Sequence, residues 1–113
     1  MKVHAILAVL VGACLAKDCL RCICNIESGC KAIGCNMDVG SLSCGYYQIK
    51  LPYYKDCGQP GKRLGEATEA AWKKCANDYN CATQCVNSAG PSGCNVSGTV
   101  GYWNKVRACC GCS

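Results

Sequence analysis

Residues Asn25–Lys50 read NIESGCKAIGCNMDVGSLSCGYYQIK. The stretch holds three cysteines and places Glu27 and Asp38 eleven residues apart among small and apolar residues. Upstream, Asp18 reads as the cap of a helix running to about Ser28, because positions 19, 20, 22, 23 and 26 are apolar or cysteine. Gly29 is a natural C-terminal stop for that helix. Downstream, GSLSCGYYQIK has the glycines and the aromatic and β-branched residues of a short hairpin.

The rest of the chain follows the same pattern of short pieces. Pro52, Gly58, Pro60 and Gly61 mark a loop. GEATEAAWKKCA, from Gly65, reads as a helix with acids in its first turn and lysines in its last. DYNCATQCV either extends it or forms a second short helix. Asn87–Gly98 is turn and loop, and TVGYWNKVRACCGC closes with a helix around Tyr102–Ala108. No internal repeat or linker divides the chain. The expected class is α+β, a small disulfide-rich domain of short helices plus a small β-hairpin.

Composition sets the compartment. Fifteen cysteines in 113 residues exceed the density that marks a disulfide scaffold, and a domain this small needs covalent help. Lys2 followed by the apolar run AILAVLVGACL and Ala16 has the form of a secretory signal peptide, too short to span a bilayer. The expected boundaries are a signal peptide over 1–16 and the domain over 17–113. Cleavage after Ala16 removes Cys14 and leaves fourteen cysteines, an even number that can all pair. A lipoprotein leader ending at Cys14 fits less well, because the cysteine-rich domain begins at once with no tether. The protein is thus expected to be secreted and extracellular, without a membrane anchor.

The lone histidine, His4, falls in the leader, and a zinc site calls for separated CxxC or Cys/His pairs. The cluster CLRCIC is read as disulfide chemistry rather than metal chemistry in a secreted chain. No metal or cofactor is expected. Without Lys2 the mature chain carries eleven Lys+Arg against seven Asp+Glu. This modest positive charge suits bacterial envelopes and is equally compatible with plain solubility. Basic runs stop at two residues, so no nucleic-acid partner is expected. Asn95-Val96-Ser97 forms an N-glycosylation sequon in a loop.

Two acids draw attention. Glu27 falls in the last turn of the first helix, with Ile23 one turn before it and Ile26 adjacent. The negative end of the helix and apolar neighbours both disfavour the carboxylate and raise its pKa. A carboxyl that keeps its proton is what a general acid requires. Asp38 follows the helix, before Gly40-Ser41, among turn amides and hydroxyls. Two carboxyls in contrasting surroundings suit glycoside hydrolysis, in which one protonates the leaving oxygen and the other stabilises or attacks the sugar cation. Both are also ordinary helix-end and turn residues, so the residues alone leave a glycosidase and an inert disulfide domain open.

ESGC, GCNMDVGSLSCGYYQIK and YYKDCG resemble the invertebrate-type (i-type) lysozyme family, which includes destabilase. The likeness is dense from Cys19 to about Cys85 and resumes at GPSGC and TVGYWNKV. It implies a lysozyme-like fold and a muramidase that cleaves the β-1,4 bond between N-acetylmuramic acid and N-acetylglucosamine of bacterial peptidoglycan, with retention, in antibacterial defence or digestion. In the matching motifs Glu27 is the proton donor and Asp38 the nucleophile. The resemblance further implies local disulfides Cys24–Cys30 and Cys35–Cys44, with Cys75 and Cys81 as further disulfide candidates. It also assigns Lys50, Leu51, Pro52, Tyr53, Tyr54, Lys55 and Asp56 to the sugar groove, and Tyr79 is a weaker groove candidate.

Two rivals stand beside this reading. Some family members are credited with isopeptidase activity through a serine–lysine pair, here Ser43 and Lys50, in which a lysine base would activate the serine; the plainer reading makes Ser43 a hairpin hydroxyl. A cationic peptidoglycan-binding antibacterial protein without turnover is the other. This chain departs from the family between Cys85 and Cys94, where a longer segment with two more cysteines is expected. That shortening deprives Cys19 and Cys94 of their expected partners, and Cys109 and Cys110 are then available to replace them.

Overall fold

The computed structural model describes residues 16–88 and 100–110. The expected signal peptide, apart from Ala16, lies outside them, as do Cys94 and Asn95.

Helix α1 spans Ala16–Ser28 and buries Cys19, Leu20, Cys22, Ile23 and Cys24, the one-sided apolar spacing of a helix laid on a core. It begins two residues before the expected cap at Asp18 and stops where expected. Gly29 takes a left-handed φ of 71°, and the Cys30 amide reaches back to the Cys24 carbonyl at 3.0 Å. The same two residues share a disulfide, so the end of the helix that carries Glu27 is tied twice.

Strands β1 (Cys35–Asp38) and β2 (Ser41–Cys44) pair antiparallel, with Cys35 opposite Cys44 and Asp38 opposite Ser41. The hairpin therefore lies earlier than the sequence reading placed it. Its first arm is CNMD, and GYYQ forms a turn beyond the second arm. The two loop residues, Val39 (φ 49°) and Gly40 (φ 80°), are both left-handed, the geometry that matches strand twist in a two-residue loop. Valine is an unusual occupant, because a left-handed L-residue costs roughly 1–2 kcal/mol. That hid the turn from a reading by residue preference. The Cys35–Cys44 disulfide closes the base of the hairpin.

Gly45 fixes the hairpin to the helical part. Its φ is 75°, and a Cβ there would overlap the Ala76 backbone carbonyl. The Gly45 amide donates to the Gly34 carbonyl at 2.8 Å and the Tyr46 amide to the Ala76 carbonyl at 3.0 Å.

Helix α2 (Leu51–Asp56) occupies part of the expected loop, with Pro52 in its first turn, where a missing N–H costs nothing. Helix α3 (Thr68–Ala76) buries Ala71, Trp72, Cys75 and Ala76, and the Trp72 indole donates to the Ile49 carbonyl at 3.0 Å. Asp78 caps a separate helix α4 (Tyr79–Asn87), accepting the Cys81 amide at 2.9 Å. Helix α5 (Val100–Cys110) packs on α1 and buries Val106. Ile23, Tyr54, Trp72, Val86 and Val106 form the centre of one core. The architecture is α+β, and none of the described helices is long and apolar enough to cross a membrane.

Cys75–Cys81 closes another short loop, Cys57–Cys85 ties the end of α2 to α4, and Cys22–Cys109 joins α1 to α5. The shortening makes Cys109 available to replace a lost partner of Cys19 or Cys94. Cys109 bonds Cys22 instead, because α5 lies along the face of α1 that Cys22 shares. Cys19 is itself disulfide-bonded.

Candidate active site

Glu27 at the end of α1 and Asp38 at the end of β1 converge on one cleft of ≈ 170 Å³. The two elements are held in place by their own short disulfides, Cys24–Cys30 and Cys35–Cys44. Each carboxyl therefore sits on backbone with little freedom, which is the preorganisation that catalysis needs.

Glu27 is half-buried, and its pKa is raised above the usual carboxylate value. Burial is the largest cause, and the negative charge of Asp38 adds to it. The Tyr102 hydroxyl beside it and the positive charge of Lys105 pull the other way without cancelling the burial. The sequence reading anticipated the apolar surroundings at the helix end. It missed Tyr102 and Lys105, which arrive from α5, more than seventy residues along the chain. Their three-residue spacing puts both on one face of that helix, and nothing local couples them to Glu27.

Asp38 is the more open of the two, its side chain 59% exposed. The Lys50 ammonium stands 3.5 Å from its Oδ2. The same ammonium donates to the Asp38 backbone carbonyl at 3.1 Å and to Ser41 Oγ at 2.7 Å. Lys50 thus hydrogen-bonds Ser41, and among the described residues no bond joins it to Ser43, so the geometry lends no support to the rival serine–lysine pair. Ser43 Oγ lines the cleft but is buried, with no hydrogen-bond partner among the described residues. Strand alternation puts Ser41 and Ser43 on the same face, and only the three-dimensional position of Lys50 distinguishes them.

Of the run Lys50–Asp56, Lys50 and Tyr53 line the cleft. Pro52, Lys55 and Asp56 are exposed and Leu51 is half-buried; none of the four lines it. Tyr54 is a core residue, 1% exposed, with its hydroxyl donating to the Pro60 carbonyl at 2.7 Å. Formation of α2 decides this, since successive residues on a helix face different directions. Tyr79 lies at the surface, edge-on to Tyr46 and stacked with Tyr47 at 6.3 Å between ring centroids. It meets the cleft only through Tyr47, which lines it together with Gln48, Ile49 and Val86.

The destabilase family model matches residues 16–89. Invertebrate-type lysozyme 3 of Caenorhabditis elegans is 60% identical over 121 positions, covering 85% of this chain and 87% of that protein. Invertebrate-type lysozyme 2 of the same organism is 54% identical over 139 positions, with all of both chains covered. Those 139 positions exceed the 113 residues here by 26, so that relative carries residues this chain lacks. Among solved structures, the Tapes japonica lysozyme superposes with a TM-score of 0.64 at 43% identity, covering 85% of this chain and 91% of the other. The Meretrix lusoria lysozyme, solved in complex with Aeromonas hydrophila PliI, gives 0.61 at 41% identity, covering 84% and 90%. Two carboxyls converging on one cleft at the ends of a tied helix and a tied hairpin are therefore features of a chain that belongs to the destabilase family of invertebrate-type lysozymes.

Proposed function

We propose that the protein is a secreted lysozyme that hydrolyses the β-1,4 bond between N-acetylmuramic acid and N-acetylglucosamine in bacterial peptidoglycan, with Glu27 as general acid and Asp38 as nucleophile. The observation that carries this reading is the shared cleft, in which a half-buried Glu27 of raised pKa faces a more open Asp38.

Glu27 gives its proton to the glycosidic oxygen as that bond to C1 breaks, and an Asp38 carboxylate oxygen bonds to C1 from the opposite side. Glu27, now ionised, takes a proton from water as the water oxygen attacks C1 and releases Asp38. Two inversions give overall retention. Lowering the energy of the charged sugar at the transition state is favoured by the apolar wall of Ile49 and Val86, because charges interact more strongly where water is excluded. Residues 1–16 act as the leader that sends the domain out of the cell.

Turbidity clearing of a peptidoglycan suspension tests the assignment. Wild type clears it, whereas Glu27→Gln and Asp38→Asn do not, and the first product formed is the β-anomer. Equal clearing by all three proteins overturns the mechanism in favour of a peptidoglycan-binding protein without turnover.

A further inference from the structure

Asp38 stands one residue before the sharpest bend of the hairpin. Gly40 accepts a left-handed backbone readily, but Val39 is β-branched and does not. Val39 is also 99% exposed, so packing of its side chain does not hold it there. A strained residue persists only where its surroundings over-determine it; the pairing of Asp38 with Ser41 closes the bend from within, and Lys50 reaches both sides of it from outside.

We infer that Lys50 is the positioning residue for the nucleophile: it staples the strained Val39-Gly40 turn shut and so fixes the direction of the Asp38 carboxylate. This rests on the role of Asp38 proposed above. The three acceptors around the Lys50 ammonium are the Asp38 carbonyl (3.1 Å), the Asp38 carboxylate (3.5 Å) and Ser41 Oγ (2.7 Å). They lie on both sides of the two-residue loop, so one side chain bridges residue 38 to residue 41. Ser41 Oγ in turn leans on the Asp38 carbonyl at 3.4 Å. The backbone of Lys50 is anchored elsewhere, at the head of α2 and beside Ile49, whose carbonyl holds the Trp72 indole. The staple thus connects the hairpin tip to the core. An exposed ion pair alone does little; the geometry comes from the two hydrogen bonds across the bend.

This role differs from substrate contact and from service as a base. The ammonium is engaged by two hydrogen bonds and an ion pair within the protein, and in that protonated form it has no lone pair to offer a serine. A guanidinium is a planar fork and does not match three acceptors spread over a bend.

The test removes the donors and then removes the strain. Lys50→Met keeps the stem. On a soluble peptidoglycan oligomer, its kcat should fall about a hundredfold, the scale of a misplaced reacting group, with KM scarcely changed. Backbone amide order parameters for residues 38–41 should fall with it. Val39→Asn gives the loop the asparagine–glycine pair that favours two left-handed residues. Added to Lys50→Met, it should restore kcat about tenfold, and alone it should change kcat little. A raised KM with kcat intact in Lys50→Met overturns the inference in favour of substrate contact. Absence of rescue by Val39→Asn also overturns it. If the wild type turns over no substrate, the functional reading falls, and the order parameters still decide the staple: a tip as rigid in Lys50→Met as in wild type refutes it.

Discussion

Replacing Gly45 by alanine should unseat the hairpin from the helices. Gly45 combines a φ of 75° with a direct approach to the Ala76 carbonyl, where the new Cβ would have to sit. The left-handed backbone alone costs an alanine roughly 1–2 kcal/mol, and forcing a methyl into packed backbone adds about 1–3 kcal/mol. Relief by backing away lengthens two hydrogen bonds, Gly45 to Gly34 and Tyr46 to Ala76, each worth about 1 kcal/mol net. The total is about 2–5 kcal/mol, a large share of the ~5–15 kcal/mol that holds a domain together. Gly58 supplies the internal control, since its φ is 93° yet nothing lies within 4 Å of a Cβ there. Gly58→Ala therefore reports the backbone cost alone. Urea unfolding with disulfides intact, followed by tryptophan fluorescence, measures both variants against wild type, and Trp72 reports directly because its indole is bonded to the Ile49 carbonyl. A Gly45→Ala loss no larger than that of Gly58→Ala would show that the contact with Ala76 does not dock the hairpin.

The remaining predictions concern the cleft. Tyr102→Phe removes a hydroxyl beside Glu27 that lowers its pKa while keeping the ring, so the alkaline limb of kcat/KM should move to higher pH; a limb that stays put or moves down contradicts the contact. The Glu27 pKa is raised in the folded state, so the folded protein holds that proton more tightly than the unfolded chain, whose value is near ~4.3. The stability this proton contributes is complete below that value and is lost as pH rises through the folded pKa. Glu27→Gln should therefore raise the melting temperature at pH 7 and cease to do so below about pH 4, as scanning calorimetry at both pH values would reveal. Ser43→Ala deletes a buried hydroxyl with no hydrogen-bond partner among the described residues, so it should leave stability unchanged or higher and peptidoglycan clearing intact; release of lysine from an ε-(γ-glutamyl)-lysine substrate that disappears in this variant alone would establish Ser43 as a nucleophile.

Much of this protein is legible from the residues in order. The helix up to Ser28, its stop at Gly29 and the helix through Trp72 follow from interactions within a turn or two of the chain; the upward direction of the Glu27 pKa is legible from its apolar neighbours, while Asp38, Tyr102 and Lys105 act on it from outside the helix. The short bridges Cys24–Cys30 and Cys35–Cys44 came from the family motif and join neighbours. Tertiary structure decided the rest. The hairpin turns at Val39-Gly40, a bend no preference for valine would suggest, held from outside by a lysine on another element. Tyr53 lines the cleft and Tyr54 the core, because α2 forms and points adjacent side chains apart. Lys50 selects Ser41 over Ser43, and Tyr102 reaches Glu27 from the far end of the chain. Local chemistry sets which residues are able to act as acid, nucleophile or cap. Which partner each one meets depends on packing between segments distant in sequence, where the governing quantity is a distance in space.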